Sequence, residues 1–151
     1  MRFSALLLLA GIVLGQAPKA AAPAQQTVAT TLQIMRGMIL PAADRIFKSG
    51  SEAPQDAQGW TQIEYDALNI AEAANLLMIG NRVKDRGNWL KLAKGLRDTA
   101  AKTYKVARTK NVDAMLDVGG ELTEACDACH RPYRDMPREA AAKAAEAKGK
   151  K

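Results

Sequence analysis

Residues 60–81, WTQIEYDALNIAEAANLLMIGN, carry apolar side chains at alternating steps of three and four positions. Steps of this kind place the side chains on one face of an α-helix and predict that this face is buried against other helices. The face comprises Trp60, Ile63, Ala67, Ile70, Ala74, Leu77 and Asn81. Asp56 is a start signal for this helix, and Gly80 followed by Asn81 is a stop signal.

Three further segments show the same spacing. The first has its apolar face at Val28, Leu32, Met35, Ile39, Ala42 and Ile46, and is expected to begin near Gln26. The third, over residues 88–110, has its face at Trp89, Ala93, Leu96, Ala100, Tyr104 and Ala107. The fourth has its face at Met115, Val118, Leu122 and Cys126. Pro41 predicts a kink or an interruption in the first segment, Asn111 caps the fourth, and the fourth stops before Pro132.

These four segments decide the fold class. No segment shows the alternation of a β-strand, and the connections between the segments are short. The sequence therefore predicts an all-α protein, an antiparallel up-down-up-down four-helix bundle. In such a bundle the beginning of the first helix and the end of the fourth lie at the same end. Trp60 and Trp89 are expected in the core, and Arg82, Lys84 and Arg86 in a solvated turn between the second and third helices.

The two cysteines and the single histidine of the chain fall within five residues, Cys126-Asp-Ala-Cys129-His130. The spacing C-x-x-C-H is that of covalent c-type haem attachment. Two thiols three positions apart can add to the two vinyl groups of one porphyrin, and the following imidazole can bind the iron. The motif predicts one covalent haem c, with Cys126 and Cys129 as the attachment points and His130 as the proximal iron ligand.

A C-x-x-C pair has two other common uses, as a redox dithiol and in a structural zinc site. A redox dithiol of the thioredoxin type sits at the start of a helix in a βαβ context, whereas this pair lies late in a helical segment. A structural zinc site requires four ligands, and the chain has three cysteine and histidine residues in total. Both alternatives are therefore less favoured than haem attachment.

The first helix offers the second axial ligand. A thioether sulfur binds haem iron well and raises its reduction potential. Met35 lies on the inward face, at the end of the bundle where the haem is expected, and is the predicted distal ligand. Met38 lies at the flank of that face and is the second candidate. A methionine on an apolar face is more often a core residue, so an open distal site is the alternative.

The haem motif and the helical pattern together resemble a known family. A haem motif near the carboxyl end of a four-helix bundle is similar to the cytochrome c′ family, the class II c-type cytochromes, over residues 27–136. The run CDACHRPYRD resembles that family's terminal motif, and LQIMRGMILPAADRIF and EYDALNIAEAANLLM are similar to one of its branches. The resemblance implies that Tyr133 packs against the haem. It also implies that the chain, with Met35 as the distal ligand, is similar to the low-spin branch of the family. The family's usual helix-one arginine is replaced by Thr30 and Thr31.

The predicted function is that of an exported mono-haem electron carrier with His/Met-ligated low-spin iron, which is not an enzyme. The alternative is a five-coordinate haem protein that binds nitric oxide or carbon monoxide. A peroxidase is disfavoured because no second histidine could act as the distal base. Redox proteins are the expected partners. Whether two copies associate stays open, and the resemblance implies pairing through the first two helices.

The chain ends complete the predicted organisation. Residues 1–24 are typical of a signal peptide, with Arg2, an apolar run over residues 3–15 and small residues after it, cleaved between 15 and 24. An uncleaved membrane anchor is the alternative; otherwise no stable membrane insertion is expected. Residues 25–136 form the haem-binding domain, which is predicted to be periplasmic. Residues 137–151 form a basic tail, frayed or disordered, with five Lys/Arg against two Glu, so it carries +3 of the +4 net charge left once residues 1–24 are removed. No nucleic acid partner is expected.

Overall fold

A computed structural model describes residues 25–134 of the 151-residue chain. Among these residues there are helices and connecting turns but no strands. The elements are α1 (Thr31–Ile34), a π-helical turn (Met35–Ile39), α2 (Leu40–Ser51), α3 (Ala57–Leu77), a 3₁₀ turn (Gly80–Arg82), α4 (Asn88–Ala107) and α5 (Val112–Tyr133). Residues 31–51 are helical without a break, and we call them the first rod. The predicted signal peptide and basic tail lie outside the described residues.

The first rod, α3, α4 and α5 pack against one another as a bundle of four helical rods. Within it, α2 contacts α3 and α5, and α4 contacts α3 and α5. The indole of Trp89, at the start of α4, donates to the carbonyl of Leu77, at the end of α3. Tyr133 at the end of α5 contacts Trp89, while Glu121 pairs with Lys102 further along α4. These are the contacts of antiparallel neighbours, and the all-helical bundle predicted from the sequence is confirmed.

Two of the predicted helix starts are confirmed in atomic detail. The Asp56 carboxylate accepts the backbone N–H of Gly59 at 2.7 Å, at the start of α3. The Asn111 side chain accepts the backbone N–H of Ala114 at 3.0 Å, at the start of α5. Each bond satisfies an N–H that has no partner within its own helix, which is why such residues favour these positions.

The predicted helix faces form the core. The buried apolar residues of α3 and α4 include Trp60, Ile63, Ala67, Ile70, Ala74, Leu77, Trp89, Ala93, Leu96, Ala100 and Ala107. From α5 the core receives Met115, Val118 and Leu122. Asn81 is exposed and lies beyond α3. Many of the buried positions are alanines, which let the rods approach closely at little entropic cost.

The beginning of the first rod differs from its predicted face. Its helix begins at Thr31, not near Gln26. Val28 precedes the helix and is 94% exposed, and Leu32 is 56% exposed, whereas Ile34 is buried. The prediction that Val28 and Leu32 face the core is therefore wrong.

The π-helical turn explains why Leu32 is exposed. Within it the N–H of Leu40 bonds to the carbonyl of Met35, five residues back instead of four. One extra residue rotates the buried face by about one position, roughly 100°. Pro41 follows at once; it has no N–H, and in a regular α-helix its ring would clash with the carbonyl of Gly37. The helix continues through Pro41 without an interruption, and the irregularity is instead the π-helical turn that ends two residues before it.

Three helix ends differ from prediction. α3 ends at Leu77 rather than at Gly80, and α4 ends at Ala107 rather than at Lys110. Gly80 and Lys110 both have positive φ, 61° and 54°, so each residue belongs to the turn that follows its helix. The prediction that the last helix stops before Pro132 is also wrong, because α5 runs through Pro132 to Tyr133. Pro132 is exposed and lies one residue before the end of α5. The missing N–H bond and the crowding of its ring against the carbonyl of Ala128 therefore disturb only the last turn.

Candidate functional site

A cavity of about 720 Å³ lies between the first rod and α5, walled also by α4 and the turn after α3. Its volume is in the range of sites that hold small molecules and cofactors, about 300–1,000 Å³. Its wall is predominantly apolar. Cys126, Cys129 and His130 of α5 all line it, and Met35 of the first rod lines it as well. The structure therefore brings together the predicted attachment residues and the predicted distal ligand.

The motif residues lie in the last turns of α5. Cys129 is buried, and Cys126 and His130 are half-buried at the cavity wall. Both cysteines are free thiols. Because α5 continues past Pro132, these residues belong to one regular helix, and Tyr133, nearly one turn beyond His130, also lines the cavity.

The electrostatic environment keeps both thiols protonated. Burial, with smaller contributions from the charges of Asp127 and Cys129, raises the pKa of Cys126 to about 11. Burial also raises the pKa of Cys129. A dithiol that exchanges disulfides has a lowered thiol pKa, as at the start of a helix. The motif lies instead at the carboxyl end of α5, where the helix dipole opposes a thiolate.

The two candidate methionines of the first rod differ in position. Met35 and Ile39, at the two ends of the π-helical turn, line the cavity together with Leu32. Met38 is partly buried against the core but does not line the cavity. A π-helical turn is rare and is often found at functional sites, and here three of its five residues, Met35, Arg36 and Ile39, line the cavity. Of the two candidates, Met35 alone shares the cavity with His130.

Two aromatic rings in contact with each other, each held by a hydrogen bond to another residue, form one side of the cavity wall. Trp89 and Tyr133 both line it, and their rings meet edge to face with centroids 4.9 Å apart. The Trp89 indole donates to the Leu77 carbonyl at 2.8 Å, and the Tyr133 hydroxyl donates to Asp85. This bond raises the pKa of Tyr133 and lowers the pKa of Asp85. Both rings are thereby fixed at the wall by polar contacts that point away from the cavity core.

Four cationic side chains line the cavity together with this apolar wall: Arg36, Arg82, Lys84 and Arg134. None of the described residues that line it is an aspartate or a glutamate. Arg82 is only 5% exposed, so the prediction that it lies in a solvated turn is wrong. Lys84 and Arg86 are exposed as expected.

Sequence reasoning missed two residues of this site, Arg82 and Asp85. Their importance depends on contacts with residues distant in the chain, Ala29 for Arg82 and Tyr133 for Asp85. Neither contact leaves a periodic signal in the sequence. The spacing of the motif, in contrast, depends on one helix alone and could be read directly.

Comparison with known proteins finds neither a matching family model, nor a matching curated protein, nor a matching solved structure. Within residues 25–134, no group of three or more histidine, cysteine, aspartate or glutamate side chains is placed to hold a metal ion. The helices described in this range include none with the length and hydropathy needed to cross a membrane.

Proposed function

We propose that this chain is an exported mono-haem c-type cytochrome that carries single electrons. The observation that supports the proposal best is the composition of the cavity wall. The C-x-x-C-H motif occupies one side, Met35 the opposite rod, and the rest is largely apolar with basic residues. The resemblance to the cytochrome c′ family, which rests on the terminal motif and the helical pattern, agrees with this proposal.

The residues present fit a porphyrin with two propionates. Addition of the S–H of Cys126 and of Cys129 across one vinyl group each would give two thioether bonds, with each thiol hydrogen going to the other vinyl carbon. His130 and Met35 supply one nitrogen and one sulfur ligand, a pair that favours a raised potential. Apolar side chains suit the macrocycle, while the cations at the wall suit the carboxylates of the propionates. A bound haem supplies the one-electron couple of its iron.

In this proposal the protein's own residues set the surroundings of the iron. Trp89, Leu96 and Ile39 exclude water from the cavity and lower the local dielectric, which tunes the potential. With His130 and Met35 both bound, no coordination position is left for a substrate, so the protein itself is no enzyme. Its partners are redox proteins, and its compartment is the periplasm, where covalent haem attachment takes place.

A gas-binding haem protein is the second candidate. It is favoured by the apolar side chains of Leu32 and Ile39, which flank Met35 at the wall. If Met35 does not bind the iron, these side chains surround an open distal position that would admit nitric oxide or carbon monoxide. The two proposed functions therefore differ in whether the sulfur of Met35 binds the iron.

The deciding experiment is optical spectroscopy of the purified full-length holoprotein, oxidised and reduced, with and without carbon monoxide. An electron carrier gives a sharp reduced α-band and a weak near-infrared sulfur-to-iron band, and carbon monoxide leaves its spectrum unchanged. The variant Met35→Leu should lose the near-infrared band and bind carbon monoxide, whereas the control Met38→Leu should behave as wild type. A high-spin wild-type spectrum that responds to carbon monoxide would support the gas-binding alternative.

A further inference from the structure

Arg82 is a buried cation at the wall of an apolar cavity. It belongs to the 3₁₀ turn after α3, is 5% exposed and lines the cavity beside Trp89. Arginine is among the side chains least often buried unless it is paired with an anion, because removing its charge from water is costly. Such a position needs a physical reason beyond the turn itself.

Backbone contacts hold the guanidinium in place. Its Nε donates to the carbonyl of Leu76 at 2.5 Å, and one terminal nitrogen donates to the carbonyl of Ala29 at 3.0 Å. These bonds join the end of α3 to the stretch that precedes α1. They use two of the five N–H donors of arginine, and they neutralise none of its charge. The remaining donors belong to a side chain that can no longer swing out to solvent without breaking both bonds.

The described part of the chain provides no carboxylate for this cation. The ion pairs within residues 25–134 are Arg45–Asp66, Arg97–Asp98 and Lys102–Glu121, and Arg82 is in none of them. The charged groups that line the same cavity are Arg36, Lys84 and Arg134, all of them cationic, together with the imidazole of His130. A ligand that carries an anionic group would compensate the charge of Arg82, which the described residues of the cavity wall do not.

We propose that Arg82 binds a carboxylate of the cavity's ligand, which under the proposed function is a propionate of the covalent haem. The inference rests on that function, since it names the residue that recognises the acidic group of the cofactor. Arg82 is pre-organised for this task because its orientation is already fixed by Leu76 and Ala29. Because Arg82 also donates to the carbonyl of Ala29, a ligand bound to Arg82 would be linked to the residues that precede the first rod.

The sequence provides a clean window for a test. The chain contains a single histidine, and that residue is the proposed iron ligand. No other side chain has an unperturbed pKa between about 5 and 8. A change of the midpoint potential with pH in this window that appears only when Arg82 is substituted therefore reports the carboxylate that Arg82 binds.

The experiment compares full-length holoprotein, Arg82→Gln, Arg82→Lys and the control Arg86→Gln, which removes an exposed cation of the same turn that does not line the cavity. Intact mass establishes covalent haem in each protein, and the midpoint potential is measured from pH 5 to 8. We expect the same profile for wild type, Arg82→Lys and Arg86→Gln. In Arg82→Gln the carboxylate loses its cation, so its proton affinity should rise about tenfold. The midpoint potential of this variant should therefore fall as pH rises through the window.

The outcomes separate the two proposals. Wild-type protein without the mass of a covalent haem would overturn the proposed function. Protein that carries haem but shows the same profile in Arg82→Gln as in wild type would overturn only the role of Arg82. If Arg82 is merely structural, the Gln and Lys variants lose resistance to urea to a similar extent and keep the wild-type profile. Should Arg82→Gln not accumulate, Arg82→Met takes its place, since it also removes the charge but keeps an unbranched apolar side chain. A wild-type profile in that variant would contradict the inference.

Discussion

The hydroxyl of Tyr133 donates a hydrogen bond to the carboxylate of Asp85 across 48 residues of sequence. The other oxygen of Asp85 accepts the backbone N–H groups of Gly87 at 2.9 Å and Trp89 at 3.1 Å. One carboxylate therefore caps the start of α4 and holds the end of α5, the helix that carries Cys126, Cys129 and His130. The last turn of α5 depends on this carboxylate for its position, because the helix there contains Pro132 and lacks one backbone bond.

Tyr133→Phe should make the protein less stable in a pH-dependent manner. The pKa of Asp85 is lowered, chiefly by this hydrogen bond, so the contribution of that carboxylate is present above its usual pKa and is lost as pH falls through the lowered value. The pKa of Tyr133 is raised, so its contribution is present below about pH 10 and is lost as pH rises through the raised value. The stability difference between wild type and variant should be constant near neutral pH and shrink at both extremes.

Urea unfolding followed by circular dichroism at several pH values measures this difference. Tyr104→Phe is the matched control, because Tyr104 is a half-buried tyrosine whose hydroxyl forms no hydrogen bond within residues 25–134. A pH-independent difference for Tyr133→Phe would show that the ring alone, and not the bond to Asp85, stabilises the end of α5.

Trp89→Phe should destabilise the protein more than Trp60→Phe. Both indoles are buried, at 2% and 6% exposure. Only Trp89, however, donates through Nε1 to a backbone carbonyl, that of Leu77 at 2.8 Å, among the contacts within residues 25–134. Removing the donor leaves that carbonyl buried without its partner, at a cost of about 1–3 kcal/mol in addition to the lost volume. Urea unfolding of both variants gives the comparison, and equal losses would contradict the importance of this bond.

Two ion pairs of the bundle should differ in their contribution to stability. The side chain of Asp66 is 2% exposed and receives two bonds from Arg45, at 2.7 and 2.5 Å. Arg45→Gln leaves a buried carboxylate without its cation and should cost about 1–3 kcal/mol, less than a fully buried pair because Arg45 is half-exposed. Both partners of Lys102–Glu121 are about half-exposed, so Lys102→Gln should cost less than about 1 kcal/mol. Thermal unfolding in low and high salt tests this order; a larger loss for Lys102→Gln would reverse it.

How much could be predicted from the sequence depends on the range of the interactions involved. The buried face of α3 and the caps at Asp56 and Asn111 depend on residues within a turn or two. These predictions are confirmed except at Asn81, which is exposed and lies beyond the end of α3. The direction of Leu32 could not be predicted, because a single extra residue in the π-helical turn rotates everything before it. Pro41 predicted a kink or an interruption, whereas the helix continues through it and the irregularity is the π-helical turn before it.

The same reasoning explains the candidate site. The spacing of Cys126, Cys129 and His130 is local, and the bundle topology was enough to place Met35 on the opposite rod, where it shares their cavity. Burial of Arg82 and the role of Asp85 depend on side chains meeting across the fold, which periodicity does not encode. The charges that recognise a ligand were therefore the part of the site that only the structure could provide.

The thiol of Cys126 should react slowly in the haem-free full-length chain. Its pKa of about 11, compared with 9.0 for an ordinary thiol, lowers the thiolate fraction near neutral pH about 100-fold. In the single-thiol variant Cys129→Ser, the rate of alkylation by iodoacetamide near neutral pH should therefore be about tenfold below that of the same variant unfolded in urea. The ratio is smaller than that of the thiolate fractions because a thiolate of higher pKa is more nucleophilic. The logarithm of the rate should rise steadily with pH up to about 11. Fast alkylation at pH 7, with a plateau below pH 9, would mean that the thiolate is stabilised, as in a redox dithiol. That result would count against the use of this thiol as a site of covalent attachment.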